Sequence, residues 1–330
     1  MCRFNENVDY LNFKSSNERN IFSNRKIKDF MATTRKNATS KKSLNGAYRK
    51  IGNIMGKKFF GNTVGMTNNV NGIRGVRKTR KDEFKNIKSD FEEKGYVGLG
   101  RPYDESLIKG IKEKFQKLIE DDEHSVVSNE FEGKVYMRNL KSPETDIPEI
   151  ENLLTEDIIK KLQEYYHGYF RVNRIQTWRN YGVSEEVDSR KELLSNRWHC
   201  DHRITYYTKL FVNLSDVTQE DGPFHVMSRK RTKELMDKGF KSRWDYNLDV
   251  NEMEDEKYVF RGIGEIGTAY IANPQLCLHR AGTPKENRYR DMLQFRFEPS
   301  DKPISKNWMK DVPNWNNANA MDSMAKGIND

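Results

Sequence analysis

The sequence predicts an α+β protein with an antiparallel β core, on three observations. Helical periodicity is confined to the chain before residue 167, strand-like alternation begins near residue 169, and turn signals then recur at short intervals. Several short strands with regular punctuation point to a sandwich or small barrel.

Taken in order, residues 1–81 come first and are the least patterned. They carry 19 Lys and Arg against 4 Asp and Glu, a net of +15, which leaves −6 for residues 82–330 out of a total of +9. Rich in Asn, Ser, Thr and Gly and without helical or strand period, they are expected to be mostly disordered. Such a segment serves as an electrostatic arm for nucleic acid, a membrane surface or a partner, or is a solvated tail.

Order is expected from about residue 82. Phe84, Ile87 and Phe91 stand at helical spacing over 82–93, Gly95 closes the helix, and residues 96–99 read as a short strand. Asp104 caps a second helix with Leu107, Ile108, Ile111, Phe115, Leu118 and Ile119 on one face. Residues 150–166 read as a third helical region. From there the period changes to two. Residues 169–178 and 204–214 alternate, and short strands are expected at 223–227, 258–263, 267–272 and 292–297. Between them stand Glu220-Asp221-Gly222, Gly264, Asn273-Pro274 and Gly282-Thr283-Pro284. No internal repeat is present.

The 330 residues suffice for one sizeable domain. No run of eighteen apolar residues exists, so no membrane span is expected, and the first thirty residues lack the apolar stretch of a signal peptide. Three cysteines, Cys2, Cys200 and Cys277, form no CxxC pair; a reducing, cytoplasmic location fits.

Chemistry concentrates in Trp198-His199-Cys200-Asp201. On an extended backbone residues i and i+2 share a face, so an imidazole and a carboxylate from one short segment can reach one metal ion. Of the six histidines, His279 lies at the end of a strand-like segment in the β region and supplies a third ligand; His225 is the second choice. Two histidines and one carboxylate form the facial triad of non-haem iron(II) oxygenases. Arg290 follows His279 by eleven residues, after a Gly-Thr-Pro turn, where a guanidinium can grip a carboxylate with two hydrogen bonds; Arg288 is its rival.

With these residues in place, the stretch from Trp198 to Phe297 resembles the phytanoyl-CoA dioxygenase family. The likeness lies in Trp-His-x-Asp, the acidic loop from Leu214 through Glu220-Asp221-Gly222-Pro223, and His279 with Gly282 and Arg290 beyond it. Upstream, Phe91 to Val97 resembles the family's opening helix, Gly-Tyr and strand, so the likeness covers about residues 82–300. One departure is Met227-Ser228-Arg229 where the family usually has a Gly-Ser-His turn.

The resemblance implies a double-stranded β-helix (a cupin-like jelly roll), with residues 82–300 as the catalytic domain and 301–330 as an extension. It implies Fe(II) bound by His199, Asp201 and His279, and 2-oxoglutarate bound by Arg290 with Gln176 on the preceding strand. Dioxygen is the co-reactant, and hydroxylation of a small molecule is the reaction, with succinate and carbon dioxide released. Related halogenases carry a small residue where Asp201 stands, so the carboxylate favours hydroxylation. Arg179, Lys209 and Tyr207 are candidate substrate residues. Arg174, Arg179 and Arg203 near the expected mouth suggest an anionic substrate. Two other classes compete: a catalytically inactive cupin-like binding module, and a nucleic-acid-associated protein led by the basic arm. The net −6 of residues 82–330 provides no basic groove for the latter.

Overall fold

The computed structural model describes residues 84, 90–201, 206–238, 240 and 257–313, all within the unit Gly72–Asp330. The basic segment 1–81, most of the first expected helix, and His202 and Arg203 lie outside the described residues. Among the described residues no helix is long and apolar enough to cross a membrane.

The strands are β1 (Tyr96–Gly100), β2 (Ser125–Phe131), β3 (Lys134–Leu140), β4 (Tyr169–Tyr181), β5 (Thr208–Asn213), β6 (Phe224–Met227), β7 (Val259–Arg261), β8 (Ala269–Ala272), β9 (His279–Ala281) and β10 (Tyr289–Ser300). They make two antiparallel sheets, one in the order β1-β8-β5-β10-β4-β3-β2 and one in the order β7-β6-β9. The helices before β4 are α1 (Asp90–Lys94), α2 (Glu105–Leu118), α3 (Pro143–Asp146) and α4 (Glu156–Tyr166). Asp104 caps α2 as expected, its side chain accepting from the Ser106 and Leu107 amides. The third helical region is interrupted: a 3₁₀ stretch, Pro148–Leu153, precedes α4, and Thr155 caps α4 through the Ile158 amide. A Thr-Glu-Asp start satisfies the first amides of a new helix and so ends the old one.

The large sheet has two different faces. One carries Val172, Ile175, Leu210, Val212, Ile271, Leu293, Phe295 and Phe297 into a core with Ile111 and Phe115 of α2 and Leu162 and Tyr166 of α4. The other carries Gln176, Trp178, Lys209, Phe211, Tyr270, Met292 and Gln294 toward a cavity of about 290 Å³. The small sheet closes the cavity with Phe224, His279 and Ala281. A period of two keeps these faces apart, except at one place. On β4, Phe170 and Val172 face the core, yet so does Ile175. The pairing with β10 slips here, from Val172 opposite Phe297 to Arg174 opposite Arg296, leaving Asn173 as an extra residue. This β-bulge inverts the parity and turns Arg174, Gln176, Trp178 and Asn180 into the cavity.

Residues 120–149, for which the sequence predicts no element, hold the β2–β3 hairpin. Its two-residue turn is Glu132-Gly133, both left-handed at φ 52° and 73°. Such turns usually announce themselves as Asn-Gly or Asp-Gly, and Glu in the first position hides the signal. At the other end, Trp308 packs edge-on against Phe295, so part of residues 301–330 joins the same core.

Candidate metal centre

The segment around His199 is not a full strand. His199 makes a single antiparallel bridge with His279, donating to its carbonyl at 3.0 Å and accepting from its amide at 2.9 Å. The bridge places the imidazoles side by side, ring centres 4.3 Å apart. The Asp201 amide donates to the Pro274 carbonyl at 2.8 Å, which brings its carboxylate in as the third member. Asp201 Oδ1 lies 3.5 Å from His199 Nε2 and 3.6 Å from His279 Nε2. One ligand atom from each of the three lies within 4.8 Å of the others.

The surroundings prepare each group to bind a cation. His199 Nδ1 lies 2.8 Å from the Arg197 carbonyl, and His279 Nδ1 lies 3.1 Å from the Cys277 carbonyl. A carbonyl only accepts, so each Nδ1 carries the proton and each Nε2 presents a lone pair. Asp201 Oδ2 accepts from the Tyr207 hydroxyl at 2.7 Å and from Lys209 Nζ at 2.9 Å, leaving Oδ1 toward the imidazoles. Burial alone would raise the Asp201 carboxyl; the Lys209 ammonium leads the effects that outweigh it and hold it well below the usual carboxylate range.

Tyr207 and Lys209, read as substrate residues, thus sit in the cavity but hold the carboxylate. Lys209→Met is expected to weaken divalent-metal binding about 10- to 100-fold, as loss of an outer hydrogen bond to a ligand does. Titration calorimetry with Ni(II) on a variant of unchanged helical content checks this, and unchanged affinity would mean the clamp is ornamental.

Arg290 is 3% exposed. Its Nη2 donates to Asn180 Oδ1 at 3.0 Å and its Nη1 to the Gly282 carbonyl at 3.4 Å, while Nε has no hydrogen-bond partner among the described residues. Burial lowers its pKa to about 10, with Tyr270 and Asp221 partly opposing. The buried Tyr270 hydroxyl also lacks a hydrogen-bond partner among the described residues. A guanidinium nitrogen and a phenol without acceptors in one buried corner are complementary to a carboxylate. Arg288 does not compete: it is 45% exposed and pairs with Asp221 at 3.0 Å. The corner is shaped by Gly222 and Gly282. Gly222 has φ +64°, a Cβ on either would lie 2.4–2.6 Å from the other loop's backbone, and the Gly282 amide donates to the Pro223 carbonyl.

Gln176 lines the cavity and accepts from Gln294 Nε2 at 3.1 Å. Arg179 does not line it. An odd residue beyond the bulge, it faces away and grips Asp291 with Nε and Nη2 at 2.7 and 2.8 Å and Glu120 at 2.9 Å. Its candidate substrate role therefore gives way to a structural one. Arg179→Ala, which strands the fully buried Asp291 carboxylate, is expected to lose about 3–5 kcal/mol of stability. Denaturant unfolding alongside metal titration checks it: the midpoint falls while metal affinity holds. His225 also points away from the centre. Its cross-strand neighbours are Arg261 and Arg280, and burial together with Arg280 and Arg261 drives its pKa down to about 3, so it stays neutral. Arg174 does reach the cavity. Asn180, Tyr270, Gln294 and Arg296 also line the cavity, and no motif in the sequence singles them out.

No protein-family model matches the chain, and no curated protein matches it. Among solved structures it is similar to the non-haem α-ketoglutarate-dependent epimerase SnoN of nogalamycin biosynthesis, with 15% identity, 70% of this chain and 90% of that chain covered, and a TM-score of 0.48. It is also similar to HygX from Streptomyces hygroscopicus with nickel and 2-oxoglutarate bound (13%, 66% and 91%, 0.44). A third is EctD from S. alaskensis with 2-oxoglutarate and 5-hydroxyectoine (11%, 69% and 88%, 0.45). At such identities and scores these likenesses decide nothing about the site, whose geometry stands on this chain's own residues.

Proposed function

We propose that the chain is an iron(II)- and 2-oxoglutarate-dependent oxygenase that hydroxylates a small molecule at an unactivated C–H bond. The observation that carries the reading is the combination in one cavity of two imidazoles with Nε2 presented, a carboxylate offering one oxygen, and a buried arginine with an unpartnered Nε. The donor set suits iron(II): two nitrogens and one hard oxygen would hold the ion from one side and leave its other side open to cosubstrate and dioxygen.

In this reading His199, Asp201 and His279 hold the metal. Tyr207 and Lys209 keep Asp201 monodentate. Arg290 and Tyr270 receive the distal carboxylate of 2-oxoglutarate, and Gln176 with Gln294 flanks its path. The bound pair supplies oxidising power, dioxygen and 2-oxoglutarate being converted to succinate, carbon dioxide and one oxygen atom for the substrate. Phe211, Phe224 and Tyr270, stacked with ring centres 4.7–5.7 Å apart, give the cavity a dry wall. Two antiparallel sheets facing across the site support a double-stranded β-helix, and the spacing of His199, Asp201, His279, Gly282 and Arg290 supports a place in the phytanoyl-CoA dioxygenase family. The inactive binding module is not favoured, since each ligand keeps the partner that orients it.

Anaerobic addition of Fe(II) and then 2-oxoglutarate tests the reading. A visible metal-to-ligand charge-transfer band is expected, and its absence from folded, iron-loaded protein sinks the cosubstrate assignment.

A further inference from the structure

Two arginines face each other inside the cavity, at the end away from Arg290. Arg174 on β4 stands directly opposite Arg296 on β10, and Lys209 on β5 stands opposite Arg296 on its other side. All three line the cavity. Arg174 is 8% exposed and Arg296 7%. This row is costly. Like charges directly opposite in a sheet repel, and a buried cation loses its hydration.

Three observations say that the row is built rather than tolerated. First, the bulge at Asn173 creates it: without the extra residue, Arg174 would keep the parity of Val172 and point into the apolar core. Bulges of this kind re-aim side chains beside functional sites. Second, among the described residues the carboxylates of Glu298 and Asp201 each serve several donors at once. Glu298 accepts from Arg296, from Arg171 at 3.3 Å and from Asn173 at 3.2 Å, and Asp201 takes Lys209 while facing the imidazoles. Third, among the described residues lining the cavity four are cationic, Arg174, Lys209, Arg290 and Arg296, against Asp201 alone.

We infer that Arg174 and Arg296 form a second anion site, for the substrate, and that the molecule oxidised carries a carboxylate or phosphate group docked between them. The consequence for oxidation rests on the oxygenase reading; the binding itself does not. Arg296 stands six positions along β10 from Arg290, roughly 20 Å of extended chain, so the row and the cosubstrate corner are separate ends of one cavity. The row is nonetheless close to the metal ligands. The Arg296 guanidinium lies 4.5 Å over the Tyr207 ring, whose hydroxyl is 2.7 Å from Asp201. An anionic group held there brings its own neighbouring carbons to the metal. The oxidised C–H bond is therefore a few bonds from the charge, not at the far end of a long chain.

The test is a ¹⁹F NMR titration of full-length, metal-free protein with 4-fluorophenyl phosphate, 4-fluorobenzoate and neutral 4-fluorobenzyl alcohol. One or both anions are expected to bind, with the alcohol at least about tenfold weaker. Arg174→Gln and Arg296→Gln should each weaken the anion about tenfold or more. Arg174→Lys should recover most of the loss, which separates missing charge from a damaged fold, and Arg290→Gln should leave the row's anion in place. Tighter phosphate binding assigns a phosphorylated substrate, tighter benzoate binding a carboxylate. The proposal is overturned if the alcohol binds as well as the anions, if both Gln variants bind them unchanged, or if Arg290→Gln alone removes them. Failure of the oxygenase reading looks different: the charge-transfer band is missing while row-dependent anion binding persists.

Discussion

His279→Ala is expected to abolish the charge-transfer band and to weaken Fe(II) binding by about 100-fold or more. Loss of an outer partner of a metal ligand costs about 10- to 100-fold, and loss of a ligand itself costs at least as much. The substitution removes one Nε2 and leaves the other features in place. The His199–His279 bridge is made by backbone atoms, so the variant keeps it, and Lys209 and Tyr207 still hold Asp201. His225→Phe is the matched control, because His225 is a buried histidine of the neighbouring strand that faces away from the centre. It should keep both band and affinity. Equal loss in the two variants would point to damage to the small sheet instead. Full retention in His279→Ala would mean that the metal site lies elsewhere.

How much of this was legible in the sequence depends on the range of the signal. Asp104 as a cap, Gly95 as a helix end and the short strands near Phe224, Ala269 and Phe295 rest on local rules, and the fold has them. Spacing and residue type single out His199, Asp201 and His279, and the fold brings the three together by a route other than the one the sequence predicts. The sequence predicts an extended strand that aligns His199 with Asp201; in the structure a single bridge to His279 and a hydrogen bond from the Asp201 amide to the Pro274 carbonyl do so. Side-chain direction on β4 was not legible. A period of two sets Gln176 and Arg179 on opposite faces, but not which of those faces meets the cavity. The bulge that sets the parity depends on the register against β10, which is more than a hundred residues away. Tyr270 and Asn180 were missed for the same reason. They matter only because they meet Arg290, and nothing near them in sequence announces that meeting.

Arg290→Met separates function from stability by moving them in opposite directions. A buried guanidinium whose Nε has no acceptor burdens the cosubstrate-free protein. Replacing such a group by an apolar side chain of similar length is expected to leave stability unchanged or raise it by about 1–4 kcal/mol. Little is stranded by the change, since Asn180 Oδ1 still accepts from Trp178 Nε1 at 2.9 Å. The pH dependence has a definite sign. Burial depresses the Arg290 pKa to about 10, so its destabilising effect is fully present at any lower pH and fades as pH rises through 10 toward the ordinary arginine value. The gap between variant and wild type should therefore be flat across the neutral range and narrow only in strong alkali. Binding of 2-oxoglutarate should move the other way, weakening by about 2–5 kcal/mol, roughly 30-fold or more, because its carboxylate loses a buried cationic partner. Thermal melts without cosubstrate, paired with 2-oxoglutarate titration of the Fe(II) form, measure both. A variant that melts well below wild type would show that the guanidinium stabilises the fold through its bonds to Asn180 and Gly282. One that binds 2-oxoglutarate normally would move the cosubstrate's distal carboxylate to another part of the cavity.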